Sequence, residues 1–494
     1  MIVELKALYT ENRPHRHRRR CQTAAAVWAM AGVLAISGCQ VNQKKETATY
    51  RQYLSSRVAE QTYDGEKSLT LKQAIELANL HNEQLSLQGE QYLQALIDKD
   101  RAVARFLPTV AFAPVYTVQK ETKLLGGLGP LGSSLVPAHT FDLPFEASLS
   151  TNIPGDIANT RRAANSAEAQ RQLLLDLKAT VELDVARVYY QILRSQRQAK
   201  VLQETAAVQQ TRLHDAEVRY RAGAALPLDV SQARSQLASS EITLTHTGGD
   251  VRNGRALLAL LMGVPQVNGE LTDKVSVPAE VPDEQKLMDL ASRQRNDLLA
   301  AQAEVQAATS AVQEAWSQYF PSVSLDFTYF AKRDSFPSDV NWMNVLQVKL
   351  PIFAAGLIHA DVRTAYSQLR QAQLSESLVR RQILKNIRVA REDFVNSQQL
   401  VSQRSTEVEA ADEALRQAAQ AYRNGLVTQL ERLVAQDQLL SAQLGLYAEE
   451  LATKVYYLDL MRATGGQMEQ ALSYGEPLVS QSAGPNVVAP GASE

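Results

Sequence analysis

The feature that most constrains this chain is a change of hydrophobic period, made twice and marked each time by proline. Residues 318–330 read QYFPSVSLDFTYF, and residues 105–117 read RFLPTVAFAPVYT. Before each proline the apolar residues recur at helical spacing, and after it they alternate with polar ones. A helix buries a stripe and a strand buries one face. Whatever this chain folds into must therefore pass from helix to strand at Pro108 and again at Pro321.

The two switches are parts of a larger duplication with a spacing of about 200 residues. Leu77-Ala78 with Asn82-Glu83 returns as Leu290-Ala291 with Asn296-Asp297, and Phe106-Leu107-Pro108 returns as Tyr319-Phe320-Pro321. Asn152-Ile153-Pro154 returns as Lys349-Leu350-Pro351. Tyr220-Arg221-Ala222-Gly223 returns as Tyr422-Arg423-Asn424-Gly425, and Gln236-Leu237 as Gln438-Leu439. Proline is absent between Pro154 and Pro227 and between Pro351 and Pro477, so both tracts can be long helices. In the first, Leu174, Leu177, Val181, Val185, Val188 and Ile192 fall three or four apart. Gly223 and Gly425 mark the turns of two helical hairpins.

Each copy is thus expected to hold a helix of about 37 residues, a strand hairpin, a helix of about 66, a tight turn and another helix of about 37. The first copy spans 68–282, with its strand hairpin at 109–153 and its helical hairpin at 157–264. The second spans 283–465, with the corresponding hairpins at 322–350 and 357–463. Helices this long point to a coiled-coil-like tube or stalk.

Within the strands, Val323, Leu325, Phe327 and Tyr329 alternate with Ser324, Asp326 and Thr328. Asn344, Leu346, Val348 and Leu350 alternate with Val345, Gln347 and Lys349. Phe145, Ala147, Leu149 and Ile153 alternate with Glu146, Ser148, Ser150 and Asn152. The 109–117 segment contains Pro114 and is expected at a bulge or an edge. An antiparallel sheet over a soluble core alternates in the same way. Strands of about 8–10 residues are also the length a tilted strand needs to cross a bilayer. Four strands cannot close a membrane barrel, and open edges in lipid are not tolerated, so a membrane reading requires several chains to pool their strands.

At the N-terminus, HRHRRR at 15–20 precedes an apolar run at 24–36, the order of a secretory signal, expected over 1–38. Ile36-Ser37-Gly38-Cys39 resembles the bacterial lipobox, which implies acylation of Cys39 and a lipidated linker over 39–67. Gln40 after the cysteine is similar to the outer-membrane sorting pattern of lipoproteins. Cys21 would leave with the signal, so no thiol remains for a disulfide or redox pair. Residues 466–494 read as a flexible tail.

Taken together, these residues resemble the TolC family of outer-membrane efflux channels over about 68–465. The elements that carry the resemblance are LTLKQAIELA at 69–78, both proline switches, and the Tyr-x-x-Gly tips followed by Ala435 to Leu439. The resemblance implies a homotrimer in which three chains share a twelve-stranded outer-membrane β-barrel continued by an α-helical tube in the periplasm. It also implies docking onto a periplasmic adaptor and an inner-membrane pump, with the matching tip residues being Asn424, Gly425 and Leu426 and, more loosely, Gly223. Acidic rings narrow the tips of such channels; Glu431 and its counterpart Asp229 match the first position, whereas Val434 stands at the second, where relatives carry Asp. Three acids around one axis would focus a negative potential in a narrow pore.

Other chemistries find little support. The net charge of −2 and the scattered basic residues argue against a nucleic-acid partner. Gly127 to Gly132 fits G-x-G-x-x-G but lacks a following helix, and it reads as the outer loop of the first strand hairpin. The seven histidines show no metal spacing, and no catalytic set, enzyme activity or cofactor is expected. The rival reading is a lipid-anchored periplasmic coiled-coil tether without channel activity.

Overall fold

The computed structural model describes residues 41–54, 63–119, 139–273, 275–281, 283–424 and 426–466. The signal segment, Cys39, the G-x-G-x-x-G loop, Gly425 and the tail from 467 lie outside the described residues. The chain divides into two units, Met1–Thr49 and Tyr50–Glu494. Helix α1 is Gln43–Leu54, and its Tyr50 and Leu54, which belong to the second unit, are buried.

The second unit carries the duplication. The first copy runs β1 (Leu69–Thr70), α2 (Leu71–His81), α3 (Glu83–Ala104), β2 (Thr109–Phe112), β3 (Val115–Val118), β4 (His139–Asp142), β5 (Pro144–Thr151), α4 (Ile153–Arg221), α5 (Pro227–Met262) and β6 (Leu271–Thr272). The second runs α6 (Glu284–Gln294), α7 (Asn296–Ser317), β7 (Ser322–Phe330), β8 (Trp342–Lys349), α8 (Leu357–Arg423) and α9 (Gln429–Thr464). The long helices hold 69 and 67 residues, close to expectation, and each is roughly 100 Å long. The returning helices hold 36 residues each.

The opening helix of each copy differs from expectation, being two helices rather than one. Thr70 starts α2 with a capping box, its hydroxyl accepting from Gln73 N–H at 3.3 Å while Gln73 Oε1 accepts from Thr70 N–H at 3.0 Å. The chain then breaks at Asn82, whose ψ of 124° is extended. Asn82 caps α3 by accepting from Leu85 N–H at 3.1 Å, and its amide donates to Leu261 O, at the end of α5, at 2.9 Å. In the second copy the break falls at Arg295, with ψ 114°. Its guanidinium donates to Arg462 O at 3.0 Å, at the end of α9. The structural partner of Asn82 is therefore Arg295, one residue before the Asn296 that sequence similarity pairs with it.

Each break is wedged against a helix end that only glycine can form. Gly263 and Gly465 close α5 and α9 with φ of 63° and 80°. A Cβ at Gly263 would lie 2.4 Å from His81 O, and one at Gly465 would lie 2.7 Å from the Gln294 carbonyl carbon. Helix breaks and helix ends thus interlock within each copy, and a short parallel pair, β1–β6, lies one helix away from the first break. The buried Tyr189 hydroxyl sits 2.7 Å from Leu69 O and 2.8 Å from Thr272 O, pinning α4 to both strands of that pair. Arg462 reaches Asp176 of α4 at 2.8 Å. Burial raises the Asp176 carboxyl above its ordinary range, opposed by that arginine.

Leu174, Val181, Val185 and Ile192 are all buried in the main core, as their spacing predicts, with Leu177 and Val188 packed against it. Towards the strands, α4 packs on α3 and α7, and α7 on α8. Ala300, Ala303, Ala307 and Ser310 of α7 are buried at three- and four-residue spacing, small enough for close helix approach. Arg162 of α4 and Glu314 of α7 add an ion pair at 2.8 Å.

Candidate functional site

Three features bear on function: the helix–strand border, the sheet above it and the helical tips. At the border, α3 and α7 end in matching geometry. Their C-cap residues Arg105 and Gln318 share φ −63° and ψ −19°. A short turn then leads to Pro108 and Pro321, after which β2 and β7 begin at the next residue, as the change of period predicts.

The returning borders are not alike. β5 stops at Thr151 and α4 begins at Ile153, so Ile153 is helical and not the last strand residue; Pro154 lies in the first helical turn instead of ending a strand. The first strand hairpin thus ends two residues earlier than expected, and the helix starts four residues earlier. Asn152 makes this abrupt passage possible. Its side chain accepts from Gly155 N–H at 3.2 Å to cap α4, while its amide donates to Ser317 O at 2.8 Å, at the end of α7. After β8, by contrast, residues 350–356 intervene before α8, with Pro351 early in this loop. The loop turns through Ala355 at φ 47° and Gly356 at φ 83°.

The strands form one antiparallel sheet in the order β2-β5-β7-β8, extended by the β3–β4 ladder. Thr109 pairs with Ser148 and Val115 with Asp142, so β2–β5 and β3–β4 share one register. Ala113-Pro114 interrupts it on one strand, at the position expected for a bulge or edge.

Register sets the four alternations in phase. Phe145 pairs with Tyr329, Ala147 with Phe327 and Leu149 with Leu325. Across the next seam, Tyr329 pairs with Trp342, Leu325 with Leu346 and Val323 with Val348. All of these share one face, because paired residues point to the same side of a sheet. Glu146, Ser148 and Ser150 share the other face with Ser324, Asp326, Thr328, Gln347 and Lys349; on the edge strand β8, Met343 and Val345 also fall on this face and Asn344 on the apolar one. Ser148 also bonds Thr109 across that face, Oγ to Oγ1, at 2.9 Å.

One rung on the apolar face is aromatic across all four strands: Phe112, Phe145, Tyr329 and Trp342. The Phe112 and Phe145 rings lie 4.7 Å apart. No single strand reveals this row, since it exists only once the register is set. β8 is exposed along all eight residues, and the sheet is open on both faces within one chain.

At the far end of the long helices, the two tips repeat one device. After α4, Ala224 N–H donates to Arg219 O at 2.8 Å over Gly223, which has φ 75° and no atom within 4 Å of a Cβ position. After α8, Leu426 N–H donates to Ala421 O at 2.9 Å in the same pattern. Asn424 is the C-cap of α8, and Gly425 between them lies outside the described residues. Leu226 and Leu426 are 64% and 77% exposed, which puts a large apolar side chain on each tip.

The two acids expected at a gate have a local role. Thr428 N–H and Oγ1 donate to Glu431 Oε2 at 2.6 and 2.9 Å, and Thr428 Oγ1 accepts from Glu431 N–H at 3.3 Å. This is a capping box at the start of α9, and its Thr-x-x-Glu signature is legible in the sequence. Hydrogen bonds from the Thr428 backbone and then its hydroxyl hold the Glu431 carboxyl below the ordinary glutamate range. At the other tip, Leu226 N–H donates to Asp229 Oδ2 at 2.9 Å. Both carboxylates are therefore folded onto their own helix ends. Val434, where a second acidic ring would stand, is exposed.

Among the described residues no group of three or more His, Cys, Asp or Glu is placed to hold a metal ion, and no helix is long and apolar enough to cross a membrane.

Comparison with known proteins agrees with this architecture. The outer membrane efflux protein family matches residues 99–264 and 287–466. The cation efflux system protein CusC of Escherichia coli O6:H1 is 25% identical over 371 residues, covering 65% of this chain and 76% of its own length. The toluene efflux pump outer membrane protein TtgF of Pseudomonas putida is 26% identical over 376 residues, covering 73% and 75%. The fold matches the crystal structure of the outer membrane protein VceC of Vibrio cholerae with a TM-score of 0.67, at 21% identity, over 80% of this chain and 96% of that one.

Proposed function

Because this chain belongs to the outer membrane efflux protein family, we propose that it is the outer-membrane exit channel of a tripartite efflux or type I secretion system. Three copies pool four strands each into a twelve-stranded barrel, and their long helices continue it as a periplasmic tube. The channel conducts passively and catalyses nothing. The tips around Gly223 and Asn424-Gly425-Leu426 dock a periplasmic adaptor that links the channel to an inner-membrane pump. Cys39, acylated after removal of residues 1–38, adds a lipid anchor in the outer membrane.

The observation that carries this reading is the sheet register. It places Phe145, Ala147, Leu149, Val323, Leu325, Phe327 and Tyr329 of the inner strands on one face and their polar neighbours on the other, and lines up Phe112, Phe145, Tyr329 and Trp342 as one aromatic rung. Membrane barrels place such a girdle at the lipid–water interface, with an apolar band facing lipid and polar residues facing the lumen. A sheet covering a soluble core would have its apolar face covered by helices, but Leu346, Val348, Phe327 and Tyr329 are exposed. The open edges of β2 and β8 also require partners in lipid.

The test is detergent extraction of outer membranes followed by gel electrophoresis without boiling. A heat-modifiable, SDS-resistant trimer that conducts ions in planar bilayers is the expected result. A monomer released once the lipid anchor is removed would instead identify a tether.

A further inference from the structure

The two edges of the sheet differ from its interior at their helical end. β2 begins two residues after Leu107, and β8 ends three residues before Ile352. Phe106 and Leu107 are therefore at one edge, and Ile352 and Phe353 are at the opposite edge, both at the helical end of the sheet. Leu107 is 65% exposed, and Ile352 and Phe353 are 94% and 88% exposed. Under the inner strands, Trp316 and Phe320 instead share a cleft with Pro154 and Ile157 of the same chain.

The duplication is also broken at this point. One residue, Asn152, separates β5 from α4, whereas residues 350–356 separate β8 from α8. The longer connection occurs at the edge strand, and its turn through Ala355 and Gly356 carries the two most exposed large apolar side chains among the described residues. In an inner strand such a loop would meet its own chain's neighbouring helices. At an edge it has room for a second copy.

We propose that Ile352 and Phe353 of one copy pack against Phe106 and Leu107 of the next, forming an apolar seam beneath each β8–β2 junction. This rests on the pooled-barrel reading above. The chain directions are compatible: β2 leaves the helical end and β8 returns to it, so the two edges of successive copies meet antiparallel with both apolar pairs at one level. The contact is head-to-tail, because each copy supplies one half from each edge, which is the arrangement that closes a ring. Covering these residues removes from water the largest apolar exposure at this border.

Cysteine pairs test the seam. Within one chain the two edges are separated by three inter-strand spacings of about 4.8 Å, roughly 14 Å, too far for a disulfide. Leu107→Cys with Phe353→Cys, and Phe106→Cys with Ile352→Cys, cover both orientations of the loop, and the four single variants control for native Cys21 and Cys39. The expected result is a ladder of boiled, non-reduced dimers and trimers in at least one double variant, absent from its single variants and collapsed by reductant. Unboiled trimers that boil to monomers in both double variants, with or without a short bis-maleimide, would overturn the seam while leaving the channel reading intact. Absence of a trimer in the unaltered protein would overturn both. Should the double variants fail to assemble, Phe353→Ser decides: the seam requires its trimer to dissociate at lower temperature than the unaltered one, and an unchanged temperature would overturn it.

Discussion

Glu431 has one physical role that the structure shows, the cap of a helix. Its carboxylate caps α9 through Thr428, and its pKa is lowered by those hydrogen bonds. The folded state therefore binds the proton more weakly than the unfolded state. The cap's contribution is present above the ordinary value of 4.5 and is lost as pH falls through the lower folded value. Glutamine also serves at this capping position. Glu431→Gln is thus expected to keep the start of α9 protected in amide hydrogen exchange, whereas Glu431→Ala loses that protection. Because Glu431→Gln removes charge and spares the cap, an altered cation preference in planar bilayers would read the charge alone; unchanged conductance and preference would remove the gate role. Two of the glycines with left-handed backbones separate in the same way. Gly223→Ala meets open space and is expected to cost only about 1–2 kcal/mol of conformational strain. Gly263→Ala adds a collision with His81 O, so its loss in denaturant stability should be clearly larger.

Among the elements, the β1–β6 pair ties the two ends of the first copy together. Tyr189 lies within hydrogen-bond distance of a carbonyl on each strand of the pair, one near each end of the first copy. Tyr189→Phe is expected to destabilise the protein by about 1–3 kcal/mol, since buried carbonyls lose a donor without gaining water. Amide exchange at Leu69–Lys72 and Leu271–Thr272 should rise before that of the α4 core, and uniform protection would contradict a joint held by this hydroxyl. Proline spacing located the long helices and their turns to within a few residues. The breaks at Asn82 and Arg295 were not legible, because neither is a helix breaker by type. Their extended backbones are held by carbonyls of α5 and α9 far along the chain.

At the scale of the whole molecule, the two faces of the sheet should respond oppositely to charge. An arginine at Leu325 would stand on the apolar face, and in a membrane barrel costs about 2–4 kcal/mol near mid-bilayer. Leu325→Arg is expected to reduce the SDS-resistant trimer recovered from outer membranes. Ser324→Arg, one residue earlier on the polar face, should assemble normally and alter conductance. Equal loss in both variants would mean that the faces do not divide lipid from lumen.

Periodicity, proline and glycine placement were enough to determine the elements, their duplication and the apolar face of each strand, because these depend on residues close together in the chain. The capping box at Thr428 and Glu431 was equally local and could have been read beforehand. Tertiary structure decided what depends on partners distant in sequence. The aromatic rung of Phe112, Phe145, Tyr329 and Trp342 needs the register of four strands spread over more than two hundred residues. The abrupt turn at Asn152 and the long loop after β8 differ although each leads into the matching proline: Asn152 caps α4 and reaches Ser317 O at the end of α7, and Lys349 stands in its place after β8. Local chemistry sets the period of a segment, and only the neighbours it meets determine where that segment begins and ends.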